Sequence, residues 1–271
     1  SAQHLHCGRV VQQRQQQMMH RSMGGKANRV IMKEADLDEE EEDSEDDNNS
    51  DGGEPESPMA VKQRLLHLLS TDILIKTRLQ GGLTCFRSQI ENFYSSLSHD
   101  TIECILTYLG VSKKWTSFFK RFLRAPLKFA DDPTAQARQR KTGTPGSHVL
   151  SDVFGEVILF CLDFQINQTT NGEILWRMQD DFWFWSSDHA VCVKAWSTIE
   201  EFMRLAGLKL NRALSGSARI VRKASRPHGL ASADVGDVIP KGEIRWGMLR
   251  LDPDSGRFEI DQDMVDEHID E

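Results

Sequence analysis

Two adjacent aspartates lie between two short apolar segments that are rich in aromatic residues. Residues 174–176 precede them and residues 182–185 follow them. Residues of these types favour β-strands, so the pattern predicts a β-hairpin with Asp180 and Asp181 at its tip. Carboxylates on such a tip are well placed to hold hard divalent cations, which prefer oxygen ligands. Taken alone, the pair favours an ordinary turn, because Asp is a common turn residue.

Four further segments accompany the hairpin in a fixed order along the chain. They are a strand-to-helix junction at 93–100, a Gly/Pro loop and amphipathic helix from 143, a helix end at 207–211, and a strand at 244–249. This series resembles the palm of reverse transcriptases. The matching segments for their motifs A to E are 86–100, 143–162, 174–185, 207–216 and 244–251. The residues of the B, C and E segments are most similar to domesticated, non-mobile cellular reverse-transcriptase genes, rather than to retroviral enzymes. The resemblance covers roughly residues 60–271.

The resemblance implies an α+β fold. It predicts a polymerase palm, a small antiparallel sheet backed by helices, with partial fingers and no thumb. Residues 1–33 are then partial fingers or an irregular N-terminal segment, and residues 59–271 form the palm. Residues 34–58 are expected to be a disordered acidic insertion. We interpret it as a solvated linker, in preference to a segment that mimics phosphates and competes for a basic groove. The sequence does not begin with Met and ends right after the motif E strand, so we expect it to be a fragment.

The resemblance also implies a chemistry, template-directed nucleotidyl transfer of the RNA-directed DNA polymerase type. The expected cofactor is Mg²⁺ or Mn²⁺, in a mechanism that uses two metal ions. Asp180 is then the main metal ligand and Asp181 its auxiliary. The expected partners are a nucleic-acid template-primer and nucleoside triphosphates.

Further residues take roles in nucleotide or template binding through the same resemblance. Tyr94 falls where the family places a bulky residue that screens the sugar 2′-hydroxyl. The motif B loop and nearby cations are expected along the template or the incoming nucleotide, and they are Gly143, Thr144, Pro145, Gly146, Ser147, Arg140, Lys141 and Lys209.

The chain departs from the family at catalytic positions. Gln89 stands where motif A carries its metal-binding Asp, and an amide has no negative charge for a cation that is usually held by carboxylates. Glu91 would lie on the same face of a strand, and it is a weak candidate as a replacement. Leu214 stands where motif D carries a lysine.

These departures leave three functions open. The first is an active nucleotidyltransferase. The second is a catalytically inactive palm that binds nucleic acid, which Gln89 and Leu214 favour. The third is a protein-interaction remnant without nucleic acid.

The charge of the chain is unevenly distributed. The formal net charge is −8, but residues 34–56 contribute −14 and residues 251–271 contribute −8, so the remainder is +14. A basic body is compatible with a phosphate backbone as partner. Residues 113–128 interleave cations with aromatics, a pattern compatible with a nucleic-acid strand but more often a core helix with a solvated face.

Hydropathy and cysteine usage bear on location. The sequence contains no apolar run of membrane-spanning length, so no membrane association is expected. The five cysteines are scattered without metal-ligand spacing, which indicates reduced thiols and an intracellular protein, in the nucleus or the cytoplasm. The oligomeric state stays open.

Overall fold

The computed structural model describes residues 57–128, 136–146, 148–223 and 229–270. The chain divides into two units, Ser1–Leu69 and Ser70–Glu271. The described part of the first unit belongs to helix α1, which runs over Pro58–Leu79. The predicted segment 1–33 and all but the end of the predicted insertion 34–58 lie outside the described residues.

The second unit alternates helices with short strands. The helices are the end of α1, α2 (Phe93–Ser96), α3 (His99–Tyr108), α4 (Lys113–Leu123), α5 (Val149–Thr169), α6 (His189–Ala206) and α7 (Gln262–Asp270), with one 3-10 turn at Arg212–Leu214. The strands are β1 (Gly82–Gln89), β2 (Pro126–Leu127), β3 (Arg138–Gln139), β4 (Trp176–Met178), β5 (Asp181–Ser186), β6 (Gly216–Arg222), β7 (Leu230–Ala233), β8 (Arg245–Trp246), β9 (Leu249–Asp252) and β10 (Arg257–Ile260).

The central sheet has five strands in the order β4-β5-β1-β6-β7, and all its pairings are antiparallel. Residues that pair across neighbouring strands point to the same face. Phe86 pairs with Phe184, and the two rings stack with centroids 5.4 Å apart. Phe86 also meets Trp196 of α6 edge-on at 5.2 Å. This face of the sheet therefore lies on the helical layer and forms the main core.

The opposite face carries β5 residues that alternate with that core set. Trp183 lies 5.1 Å from Trp246 and 6.3 Å from Phe258, ring centroid to ring centroid, and so packs on the three-stranded sheet β10-β9-β8. Trp185 donates from its indole nitrogen to Asp72 of α1 over 2.7 Å. The fold is α+β, with a small antiparallel sheet and packed helices, as the sequence predicts.

Several helix ends follow the signals in the sequence. The Ser98 side chain accepts a hydrogen bond from the Thr101 amide and so caps the N-terminus of α3, as serine commonly does. Gly207 adopts a left-handed conformation after α6 (φ 70°), as expected for a glycine C-cap. Among the helices that the structure describes, none is long and apolar enough to cross a membrane.

Candidate active site

The predicted β-hairpin is confirmed. Met178 pairs with Asp181 across β4 and β5, so the turn between the strands consists of Gln179 and Asp180. Gln179 takes the left-handed backbone conformation (φ 54°) that a tight two-residue turn requires. Asp180 is therefore at the tip, and Asp181 is the first residue of β5.

The motif A position lies directly beside this tip. Gln89 is the last residue of β1 and pairs with Asp181, and the Ile90 amide donates to the Asp180 carbonyl oxygen over 3.1 Å. The Gln89 side chain turns its amide nitrogen toward Asp180, with 3.4 Å between Nε2 and Oδ2. The structure thus brings together Gln89, Asp180 and Asp181, but a hydrogen-bond donor faces the carboxylate from the motif A side.

The carboxylate of Asp181 forms an ion pair with an arginine of the same sheet. Arg87 donates to both of its carboxylate oxygens, from Nε over 3.0 Å and from Nη2 over 2.5 Å. The third guanidinium nitrogen donates to the Arg245 carbonyl oxygen over 2.6 Å. The side chains of Arg87 and Asp181 are only 7% and 14% exposed. A buried, bidentate pair of this kind has good geometry and little competition from water.

Burial and nearby carboxylates raise the pKa values of Asp180 and Tyr94. Burial raises the pKa of Asp180, and the charge on Asp181 adds to that increase. Burial also raises the pKa of the Tyr94 phenol, and it is raised further by Asp152, which shares a hydrogen bond with it, and by Glu156. Asp152 and Glu156 are four residues apart and face the site from α5. The surroundings of Tyr94 are therefore acidic.

The motif B loop is fixed to the backbone around Tyr94. The Gly143 amide donates to Leu97 O over 2.8 Å, and the Thr144 amide donates to Tyr94 O over 2.9 Å. His99 donates from Nε2 to the Gly143 carbonyl oxygen over 2.8 Å, so this buried histidine has a structural role. The Ser151 hydroxyl donates to the Pro145 carbonyl oxygen over 2.5 Å and fixes the start of α5.

The remaining predicted residues are less closely joined to the tip. Gly146 is exposed, and Ser147 lies outside the described residues. Lys141 and Lys209 are exposed, whereas Arg140 is half-buried, with a buried Nη1 that has no hydrogen-bond partner among the residues described.

Glu91 lies just beyond the end of β1. β1 ends at Gln89, and Glu91 lies in the turn that follows, with an exposed side chain and its amide bonded to Lys209 O. Between Gln89 and Glu91, Ile90 forms an isolated antiparallel bridge with Leu210, and the role of Glu91 as a weak candidate metal ligand stays a prediction.

The donor set does not fit Mg²⁺ or Mn²⁺ as it stands. Such a cation needs several free oxygen ligands. Both oxygens of Asp181 are engaged by Arg87, and Gln89 presents its nitrogen to Asp180. Within the described ranges, no group of three or more His, Cys, Asp or Glu side chains is arranged to hold a metal. The metal site stays a prediction, and the observed hydrogen bonds argue against it.

Sequence reasoning missed the two arginines, Arg87 and Arg177, that form ion pairs with acidic side chains in this region. Arg177 donates in bidentate fashion to Glu156, at 3.0 and 2.8 Å, and also reaches Asp163 at 3.1 and 2.9 Å. A usable signal for Arg87 existed, because a charged residue inside an apolar strand must have a partner when it is buried. Gln89 lies two residues after Arg87, so the two side chains lie on the same face of β1. The partner of Arg87 is therefore expected near Gln89, at the same end of the sheet.

Comparison with solved structures finds a similar fold in telomerases. A telomerase from Candida tropicalis, truncated from its C-terminal domain, matches 76% of this chain with a TM-score of 0.50 and 14% identity. A Candida albicans telomerase in complex with a TWJ fragment of telomeric RNA matches 75% with a TM-score of 0.51 and 13% identity. The fold is reverse-transcriptase-like.

At this identity the likeness shows the fold alone. This chain spans 40% of the Candida tropicalis protein and 34% of the Candida albicans protein. No family model matches the sequence, and the search of curated proteins gives no match either.

Proposed function

We propose that this chain is a reverse-transcriptase-like palm that binds nucleic acid without adding nucleotides. The observation that carries the proposal is the bidentate ion pair between Arg87 and Asp181. It places a fixed positive charge next to the hairpin, where the family holds its metal ions. Nucleotide addition by two metals requires those ions to bridge the substrates. A site in which Arg87 already neutralises the Asp181 carboxylate is poorly suited to bind them.

The energetics of this ion pair favour its persistence. Separating a buried pair leaves each charge without compensation, and removal of one partner typically costs about 3–5 kcal/mol. A metal ion would also have to lose water, which Mg²⁺ does reluctantly. The loss of the motif A carboxylate at Gln89 removes the charge that would offset both costs. Metal binding at Asp181 is therefore opposed both by the cost of breaking the ion pair and by the cost of dehydrating the metal ion.

Nucleic-acid binding is supported by fold and charge. A neighbour with this fold, the Candida albicans telomerase, is in complex with a fragment of telomeric RNA. Outside its two acidic segments this chain carries a net charge of +14. Lys and Arg side chains that neutralise phosphates release counterions, which is the main source of sequence-independent affinity.

An active enzyme is the second candidate, and one observation favours it. Asp180 makes no ion pair with any described residue, since its side-chain partner is the uncharged amide of Gln89. This hypothesis keeps RNA-directed nucleotide addition, with Mg²⁺ or Mn²⁺ as cofactor and nucleoside triphosphates as substrates. Its weakness is that Asp180 is a single carboxylate, whereas a metal ion needs several oxygen ligands.

One experiment separates these candidates. The chain is titrated into a fluorescent RNA–DNA primer-template over a series of salt concentrations, and primer extension is measured in parallel with Mg²⁺ or Mn²⁺. We expect binding that weakens steeply with salt, and no extension. Extension that disappears in Asp180→Ala would establish the enzyme instead. Absence of binding even at low salt would remove both nucleic-acid functions.

A further inference from the structure

Helix α4 carries an unusual exposed surface. Its sequence, KKWTSFFKRFL, contains four cations, four aromatics and no acidic residue. Trp115 and Phe118 are 55% and 43% exposed, although large aromatics are usually buried to a greater extent. We name as the α4 surface the residues Lys113, Lys114, Trp115, Phe118 and Arg121.

The exposed rings are not needed to attach the helix. Phe119 meets Phe154 of α5 edge-on at 5.3 Å, Phe122 lies 4.7 Å from the His148 ring, and Leu123 is buried. These contacts anchor the inner side of α4. Trp115 lies 6.0 Å from Phe119 in a stacked arrangement and 6.0 Å from Phe118 edge-on, so the outer rings continue this aromatic cluster toward solvent.

The cations of the α4 surface are available for a partner. Lys113, Lys114 and Arg121 are exposed, and none of them forms an ion pair with the part of the chain that is described. The inner cations differ, because Lys120 is bound to Glu103 at 2.8 Å. An open depression beside Arg121 is lined by Lys120, Arg124 and Gln139, which extends the basic surface toward β3.

We propose that the α4 surface binds single-stranded nucleic acid. Bases stack on Trp115 and Phe118, and the phosphates between them lie against Lys113, Lys114 and Arg121. Unpaired bases are required, since a duplex hides the faces of its bases, whereas every unpaired base offers a π-face to an aromatic side chain. The net positive charge of the helix complements phosphates and would repel a basic partner.

The position of α4 relates this surface to the candidate site. Phe122 contacts His148, the N-cap of α5, which directly follows the motif B loop. The helix that carries the α4 surface is thus packed against the start of the helix that follows the loop which the family places along its template. The inference rests on the proposed nucleic-acid function and adds a location and a strand preference to it.

The test measures the affinity of the full chain for short single-stranded RNA and DNA and for a matched duplex. We expect Trp115→Ala to weaken single-strand binding about tenfold, as expected for the loss of one stacked base. Trp115→Phe should retain most of the affinity. Lys113→Glu with Lys114→Glu should lower the salt dependence, because fewer phosphates are neutralised. The matched control is Tyr108→Ala, which removes an 89% exposed aromatic from α3.

The outcomes distinguish this inference from the proposed function. If Trp115→Ala and Tyr108→Ala bind single strands equally well, the α4 surface is not the site, although wild-type binding would leave the proposed function standing. If the wild type binds no nucleic acid at low salt, both fail. If Trp115→Ala instead dissociates a wild-type oligomer, the surface is an interface between copies, and the inference is overturned. An unchanged urea midpoint for each variant shows that lost binding is not lost folding.

Discussion

Arg87 and Asp181 form a bidentate ion pair across β1 and β5, with N–O distances of 3.0 and 2.5 Å. The two residues are not direct partners in the strand register, since Arg87 pairs with Trp183 and Asp181 pairs with Gln89. The guanidinium therefore reaches diagonally along one face of the sheet, a distance that long side chains can span. The second hairpin aspartate is held by the scaffold and does not point freely into a cleft.

Removal of Arg87 should be strongly destabilising. We expect Arg87→Met to lower the free energy of unfolding by about 3–5 kcal/mol, because it leaves the Asp181 carboxylate buried and unpaired. In Arg87→Met/Asp181→Leu most of that loss should be recovered, apart from about 1 kcal/mol for the hydrogen bond to Arg245 O. Urea unfolding of the three proteins measures both values. A loss below about 1 kcal/mol in the single variant would contradict the buried pair.

Asp180 should make stability fall as pH rises. Burial raises its pKa in the folded protein above the ordinary value of 3.8, so between those two pKa values the folded state binds more protons than the unfolded state. Stability therefore decreases as pH increases through that interval. We expect Asp180→Asn to remove this decrease in urea unfolding curves recorded from about pH 3 to neutrality.

A matched control with the opposite sign is available at Asp252. Its hydrogen bond from Ser255 lowers its pKa, so its contribution to stability is present above the unfolded pKa and is lost as pH falls. Asp252→Asn should therefore remove an increase of stability with pH. Parallel pH profiles for the two variants would contradict the burial of Asp180.

The α+β fold was expected from the resemblance, and individual elements were accessible from the sequence because their signals are local. The aromatic run at residues 182–185 predicts the strand, and the segment 207–211 predicts a helix end. The end of α4 has no such signal in the composition of its segment. Residues 113–128 form one basic and aromatic segment of the sequence, whereas the helix ends at Leu123 and Pro126 opens β2.

The site was accessible only in part. The alignment of motifs places Gln89 beside the aspartates, and the strand register agrees. The side-chain partners could not be obtained this way, since the contact from Arg87 to Asp181 spans 94 positions and depends on a diagonal reach across two strands. The surroundings of Glu91 could not be obtained either, because beyond Gln89 the chain is held by a single β-bridge from Ile90 to Leu210, a residue distant in the sequence.

The motif B loop should tolerate no side chain at Gly143. Its backbone is left-handed (φ 78°), and a Cβ there would lie 2.7 Å from the Ser95 carbonyl oxygen. We expect Gly143→Ala to lower the free energy of unfolding by about 2 kcal/mol or more, since both strain and a backbone clash oppose it. Gly146→Ala is the matched control, because its Cβ would meet no atom of the described residues within 4 Å and its φ is not positive. Equal thermal midpoints for the two variants would show that the loop is not held against Ser95.

Gln89→Asp should create metal affinity that the wild type lacks. The new carboxylate would lie beside Asp180 and repel it, so we expect a lower thermal midpoint without metal. Added Mn²⁺ should then reverse the loss, since a ligand that binds only the folded state stabilises it by about 2.7 kcal/mol at a hundredfold excess over Kd. The double variant Gln89→Asp/Asp180→Asn should lose this response. If Mn²⁺ raises the wild-type midpoint as much as that of Gln89→Asp, then Asp180 binds metal with Gln89 in place, and the proposal of a palm without catalysis must be abandoned.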